Sequence, residues 1–205
     1  MEFRSADPSV IKSITQRVLL NAWLRALREP NALPARCDFN TEGAADERPD
    51  MMAFEVIGSG DAARFLITQE GTRLTTAYGN EHVEPRQRTN RYLDDAIGPE
   101  RYAGVILSYR ACLARKRPTY TVATVLDADG KDVSYERLLL PFGRGDAVEQ
   151  LIGSYKAISI EGRFRLDNLM GVTPEAVPVV TVRAVIDRPF IPAMRTSAQD
   201  CVELI

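Results

Sequence analysis

Residues 119–142 read TYTVATVLDADGKDVSYERLLLPF, and this stretch decides the fold class. Two β-rich runs flank Asp127-Ala128-Asp129-Gly130. An Asp-Gly step between alternating runs is a strong short-range signal for a β-hairpin. Upstream, apolar residues at helical spacing run toward Arg117; downstream, another apolar strand pattern begins near Val148. A helix followed by three consecutive antiparallel strands therefore fills the middle of the chain, which points to an α+β fold.

The helix before the hairpin opens at Pro99 and carries Tyr102, Val105, Ile106, Tyr109, Cys112 and Leu113 on one stripe. Arg115-Lys116-Arg117 place positive charge at its C-terminus, and Pro118 ends it. Further upstream, residues 51–57 and 63–69 read as two strands around the turn Gly58-Ser59-Gly60-Asp61. Residues 71–98 are mixed, with short helical turns around Tyr78 and over 90–97; residues 30–50 are loop-like. The chain begins with a helix expected from Asp7 as cap and Pro8 at the first helical position. Its apolar stripe, Ile11, Ile14, Val18, Leu19, Ala22, Trp23, Ala26 and Leu27, spans about five turns and stops before Pro30. In the proline-rich tail, 162–205, the β-branched segment 177–186 is a candidate for an added strand. No internal repeat or low-complexity segment interrupts this order.

Bulk properties narrow the function classes. The chain has 205 residues, 45% hydrophobic and 26% charged, with net charge −2 and a pI near 5.6. This length supports a core without disulfide staples, and the near-neutral balance offers no general attraction to nucleic acid or anionic membrane. Cys37, Cys112 and Cys201 are far apart, without zinc-ligand spacing; an unpaired set fits a reducing compartment. The first ten residues carry acidic groups and no apolar core, and no apolar run reaches the roughly 18 residues that span a bilayer. A cytoplasmic protein without a membrane partner is expected.

The element order is helix, two strands, short helices, long helix, three strands. Trp23-Leu24, Leu33-Pro34-Ala35-Arg36, Phe65-Leu66-Ile67 with Gly71-Thr72, Leu126 to Gly130, Tyr135-Glu136-Arg137-Leu138-Leu139-Leu140-Pro141 and Gln150-Leu151-Ile152-Gly153 carry a further likeness. In these residues the chain resembles a family of stand-alone bacterial PAS domains, of alphaproteobacterial type, over roughly residues 10–160. The resemblance implies a five-stranded antiparallel sheet with helices on one face. It also implies a sensory or signalling module, usually without catalytic activity of its own. The expected organisation is an N-terminal amphipathic helix (1–29), a PAS-like sensory domain (30–161) and a C-terminal extension (162–205). The 71–98 stretch departs from the family pattern.

Several candidate chemistries fall away. His82 is the sole histidine and lies between Glu81 and Glu84 in a polar loop, so a histidine metal cluster is excluded, and so is a Ser-His-Asp triad unless His82 itself serves; an exposed loop imidazole is the expected reading. Haem-binding PAS proteins typically place a histidine on the long helix, and residues 99–117 contain none. No Asn-Cys-Arg-Phe flavin motif occurs. Aligning Gly130 with the glycine of a calcium loop puts Val125 at the first ligand position, so the hairpin turn prevails. Arg86, Arg88 and Arg91, with Arg115-Lys116-Arg117, read as solvated surface rather than a nucleic-acid interface. No P-loop, GxSxG or dinucleotide GxGxxG is present.

What remains is a pocket between sheet and helices, with Tyr109, Cys112, Tyr120, Tyr135 and Arg137 as candidate lining. Along residues 132–142 both alternating sets mix polar and apolar members, so periodicity leaves the pocket face open. If Tyr135 and Arg137 face inward, they offer a phenol and a guanidinium to an anionic or polar ligand; otherwise Arg137 pairs with a cross-strand carboxylate. No cofactor is expected, and any ligand is unnamed. A homodimer is expected through Ile14, Val18, Trp23 and Leu27, together with a signalling protein partner and a possible small-molecule ligand. The alternatives are a haem- or flavin-binding sensor of redox state, light or gas, and a small enzyme acting through Cys112 or His82.

Overall fold

The hairpin forms as the sequence indicates. In the computed structural model, which describes residues 2–29, 32–74, 88–126, 130–159 and 178–189, strands β4 (Thr119–Leu126) and β5 (Asp132–Phe142) pair antiparallel from Thr119–Leu139 to Leu126–Asp132. Gly130 has φ +77°, a backbone state that glycine adopts without steric cost. Asp127 and Asp129 lie outside the described residues. Strand β6 (Gln150–Ser159) continues the meander against β5. Strands β2 (Met51–Ile57) and β3 (Arg64–Glu70) form the earlier hairpin, which joins the sheet by antiparallel pairing of β2 with β6.

These five strands match the expected antiparallel sheet, but the whole sheet is larger. It has seven strands in the order β1-β7-β4-β5-β6-β2-β3. The tail segment becomes strand β7 (Val179–Ile186), paired antiparallel to β4. Strand β1 (Arg4–Ala6) lies parallel beyond it. The expectation of five antiparallel strands is corrected by these two additions. β4 would otherwise be an exposed edge, and the Val-rich run of β7 covers its open hydrogen bonds. Part of the 162–205 segment is thus built into the sheet.

Among the described residues three α-helices cover the two faces. Helices α2 (Leu93–Ile97) and α3 (Pro99–Arg115) lie on one face, called inner below. Lys116 ends α3 in the left-handed conformation, two residues before the proline that bars continuation. The N-terminal helix starts later than expected. Asp7 caps only a single tight turn, Pro8–Val10. The chain then extends, and α1 (Ile14–Ala26) begins with Ser13 as its cap. α1 packs on the opposite, outer face, so the helices do not share one side of the sheet.

Alternation along β5 sorts the core into two layers. Tyr135 and Leu139 join Phe54, Phe65, Tyr109 and Leu151 on the inner side. Leu138, Leu140 and Phe142 join Leu19, Leu20, Trp23 and Tyr120 on the outer side. Both faces are buried, which is why this strand mixes large residues in both registers. Gly71 is fixed by a close approach: a Cβ there would lie 2.3 Å from the Pro49 carbonyl oxygen. Among the described residues no helix is long and apolar enough to cross a membrane.

Candidate ligand site on the inner face

A cavity of about 20 Å³ lies between the sheet and helices α2 and α3, room for about one water molecule. Its apolar walls are Met52, Ile67, Leu93, Ile97 and Val105; its polar groups are Arg88, Tyr109, Arg137 and Tyr155. Tyr109 projects from the buried stripe of α3, its ring held edge-on to Phe54 at 5.4 Å and tilted against Phe65 at 4.9 Å. Its hydroxyl shares a 2.7 Å hydrogen bond with that of Tyr155. Burial raises the Tyr109 phenol above its ordinary value, opposed by Arg137 and by the Tyr155 hydrogen bond. The tyrosine therefore remains a neutral donor and acceptor at physiological pH.

Arg137 sits directly across the β5–β6 pair from Tyr155. Its guanidinium carbon is 5.9 Å from the ring centres of both Tyr109 and Tyr155, within cation–π range. One guanidinium nitrogen donates to Ser108 Oγ at 3.4 Å. Tyr155 folds over the backbone of Gly153: a Cβ there would lie 2.5 Å from the Tyr155 hydroxyl oxygen. Gly153→Ala is expected to displace that hydroxyl, break the tyrosine pair and cost about 1–3 kcal/mol, the scale of overpacking. Thermal unfolding and tyrosine ring resonances would check it; an unchanged Tyr155 environment would refute it.

The expected pocket residues separate. Tyr109 and Arg137 line the cavity, as the inward alternative required. Tyr135 faces inward with its ring centre 6.4 Å from that of Tyr155, but belongs to the surrounding core. Cys112 is also inner core, its sulfur 3.8 Å from the Leu139 carbonyl oxygen. Burial pushes the Cys112 thiol up to about 12. Tyr120 is a correction: it points to the outer face, in register with Val122 on the side that packs with α1. Its hydroxyl accepts a hydrogen bond from Lys12 N–H at 3.2 Å. Burial, with the Glu136 carboxylate beside it, holds that phenol well above its ordinary value.

Arg88 is the second correction. Grouped by sequence with solvated arginines, it is 2% exposed and reaches the cavity, whereas Arg91 stays at the surface. Arg86 and His82 lie outside the described residues. Arg88, Met52, Ile67 and Tyr155 were missed because they come from four separated segments. The one local signal was Gly153 two residues before Tyr155, a small residue leaving room for a large one on the same face.

On the outer face the expected interface residues also divide. Trp23 is buried at 1% exposure, so it belongs to its own chain's core rather than to a contact surface. Val18 and Leu27 are partly buried against the same cluster. Ile14 is 76% exposed and Leu24 39%. Beneath α1 runs a polar network. Gln16 Nε2 donates to the Ser154 carbonyl and hydroxyl oxygens, both at 3.1 Å. Ser154 Oγ donates to Glu47 at 2.5 Å. Lys156 Nζ lies 2.7 Å from Glu47 and 2.5 Å from Asp50, and Arg73 pairs with Asp50 from the other side.

No family model matches the chain, and no curated protein matches it. Among solved structures it is similar to one described as an RNA-binding Light-Oxygen-Voltage receptor, at 19% identity and a TM-score of 0.35. The match covers 56% of this chain and 31% of that one, so the chain spans about a third of the receptor's length. A similarity this low establishes neither family nor function. Among the described residues no group of three or more histidine, cysteine, aspartate or glutamate side chains is placed to hold a metal ion.

Proposed function

We propose that this chain is a non-catalytic PAS-type sensory module whose inner cavity takes a small anion and whose outer helix passes the result to a partner. The observation that carries this reading is the polar lining of the cavity. Two buried guanidiniums, Arg88 and Arg137, and a bonded pair of tyrosine hydroxyls converge on a space walled otherwise by apolar groups. Buried arginines with forked donors suit carboxylate or nitrate-like ligands. The element order and the five antiparallel strands support the PAS-type assignment. A water-sized cavity admits such a ligand only as the short helix α2 shifts, and a ligand that binds the shifted state better raises its population.

The route to the outer face is β5, whose Arg137 faces the cavity while Glu136 and Leu138 face the α1 side. The cavity as it stands is smaller than a haem or flavin ring, and the Cys112 thiol, held near 12, is a poor nucleophile at neutral pH; both support the small-anion reading over a cofactor site here or a Cys112 enzyme. Native mass spectrometry of freshly purified protein is expected to show a small retained ligand that Arg137→Gln loses. Bare-chain mass in both would sink the anion reading.

The proposed dimer uses the exposed side of α1, centred on Ile14 and Leu24. Ile14→Glu should convert dimer to monomer in light scattering, with little change in the unfolding midpoint because the side chain is exposed. A dimer unchanged by Ile14→Glu removes α1 from the interface. A wild-type monomer removes the dimer.

A further inference from the structure

We propose that Glu70 is a proton-linked competitor for the anion in this cavity: ionised, it holds Arg88; protonated, it releases Arg88 to a small planar anion of the nitrate or carboxylate class. The inference rests on the anion reading given above and adds its regulation.

The geometry singles out this carboxylate. Arg88 Nη1 and Glu70 Oε1 are 3.5 Å apart, with both side chains almost fully buried at 3% and 4% exposure. Among the described residues neither Glu70 oxygen accepts a hydrogen bond. A well-made arginine–carboxylate contact is nearer 2.7–2.9 Å and often two-pronged, and buried carboxylates ordinarily collect several donors. Among the described residues Glu70 is therefore buried with one long ionic contact. Among the described residues, Met52, across on β2, is apolar, and Arg73, three residues on, pairs with Asp50. The Arg88 charge opposes a burial effect that raises the carboxyl above its ordinary value of 4.5.

Arg88 also lines the cavity with Arg137. A planar anion seated there meets two guanidinium forks at short range, which Glu70 does not achieve. Once the ligand claims Arg88, an ionised Glu70 is left buried without compensation, which is strongly unfavourable. Taking a proton from solvent removes that cost. The balance is one anion bound, one proton taken up and no covalent change. By linkage, affinity rises as pH falls toward the Glu70 titration and weakens by up to about tenfold per pH unit above it.

The test is calorimetric titration of the full chain with sodium nitrate, which does not itself titrate. Chloride-free sulfonate buffers of different ionisation enthalpy would be used at about pH 5.5 and about pH 8. The expected result is uptake of close to one proton per nitrate at the higher pH. Glu70→Gln should bind nitrate at least tenfold more tightly than wild type there, with no pH dependence. Nitrate binding without proton uptake overturns the role of Glu70 and leaves the anion cavity standing. No nitrate binding by wild type or Glu70→Gln at either pH overturns both. The wild-type proton count decides even if the variant folds poorly.

Discussion

Replacing Lys156 with methionine is expected to destabilise the protein by about 3–5 kcal/mol, the cost of breaking a buried ion pair by removing one partner. Lys156 Nζ bridges Glu47 at 2.7 Å and Asp50 at 2.5 Å. Asp50 keeps Arg73, but the Glu47 carboxylate, whose side chain is 0% exposed, keeps, among the described residues, the Ser154 hydroxyl alone. For a chain of this size the loss lowers the unfolding midpoint by roughly 6–20 °C. Adding Glu47→Gln removes the stranded charge and should recover part of it, a coupling readable in a double-mutant cycle. Additive losses would show that the pair is not coupled.

The same site predicts an alkaline signature. Burial pulls the Lys156 ammonium down, but Asp50 and Glu47 together outweigh it and hold the group above its ordinary 10.5. A raised value in the folded state means the contribution is complete below 10.5 and is lost as pH rises through the higher folded value. Tyr109 and Tyr120, both raised by burial, lose stability in the same direction. The difference between wild type and Lys156→Met therefore isolates the lysine: the gap between them should narrow at strongly alkaline pH.

What the sequence made legible was local. The Asp-Gly turn, the stripe from Val105 to Cys112 and the proline stops fixed a hairpin, a helix and most element limits, because each depends on neighbours in the chain. The face of β5 was not legible, because both faces are buried and each alternating set carries a charged group, Glu136 in one and Arg137 in the other. Arg88 looked like surface charge for a related reason: its partner Glu70 comes from another segment. Trp23 and Ile14 sat on one predicted stripe, yet one is core and the other exposed. Nine residues at about 100° each place Ile14 half a turn around the helix from Trp23, so one faces solvent when the other packs on the sheet. The parallel strand β1 has only three residues, too few for a periodic signal.

Trp23→Ala is expected to cost about 3–5 kcal/mol, the range for deleting a buried large aromatic side chain. Trp23 fills the contact between α1 and the outer sheet face and donates from Nε1 to the Pro141 carbonyl oxygen at 2.7 Å. Trp23→Phe keeps most of the apolar volume but strands that carbonyl, at about 1–3 kcal/mol. The ordering Ala well below Phe, and Phe below wild type, in chemical denaturation tests this account. A Phe variant as stable as wild type would show that the hydrogen bond contributes nothing. Trp23 is the single tryptophan of the chain, so its emission reports on α1 docking without interference. It stands on the opposite face of the sheet from Arg88 and Arg137. Saturating nitrate should therefore shift Trp23 emission only if filling the inner cavity moves the outer helix through β5. Nitrate that binds without altering the emission would leave the cavity a binding site and remove α1 as its output.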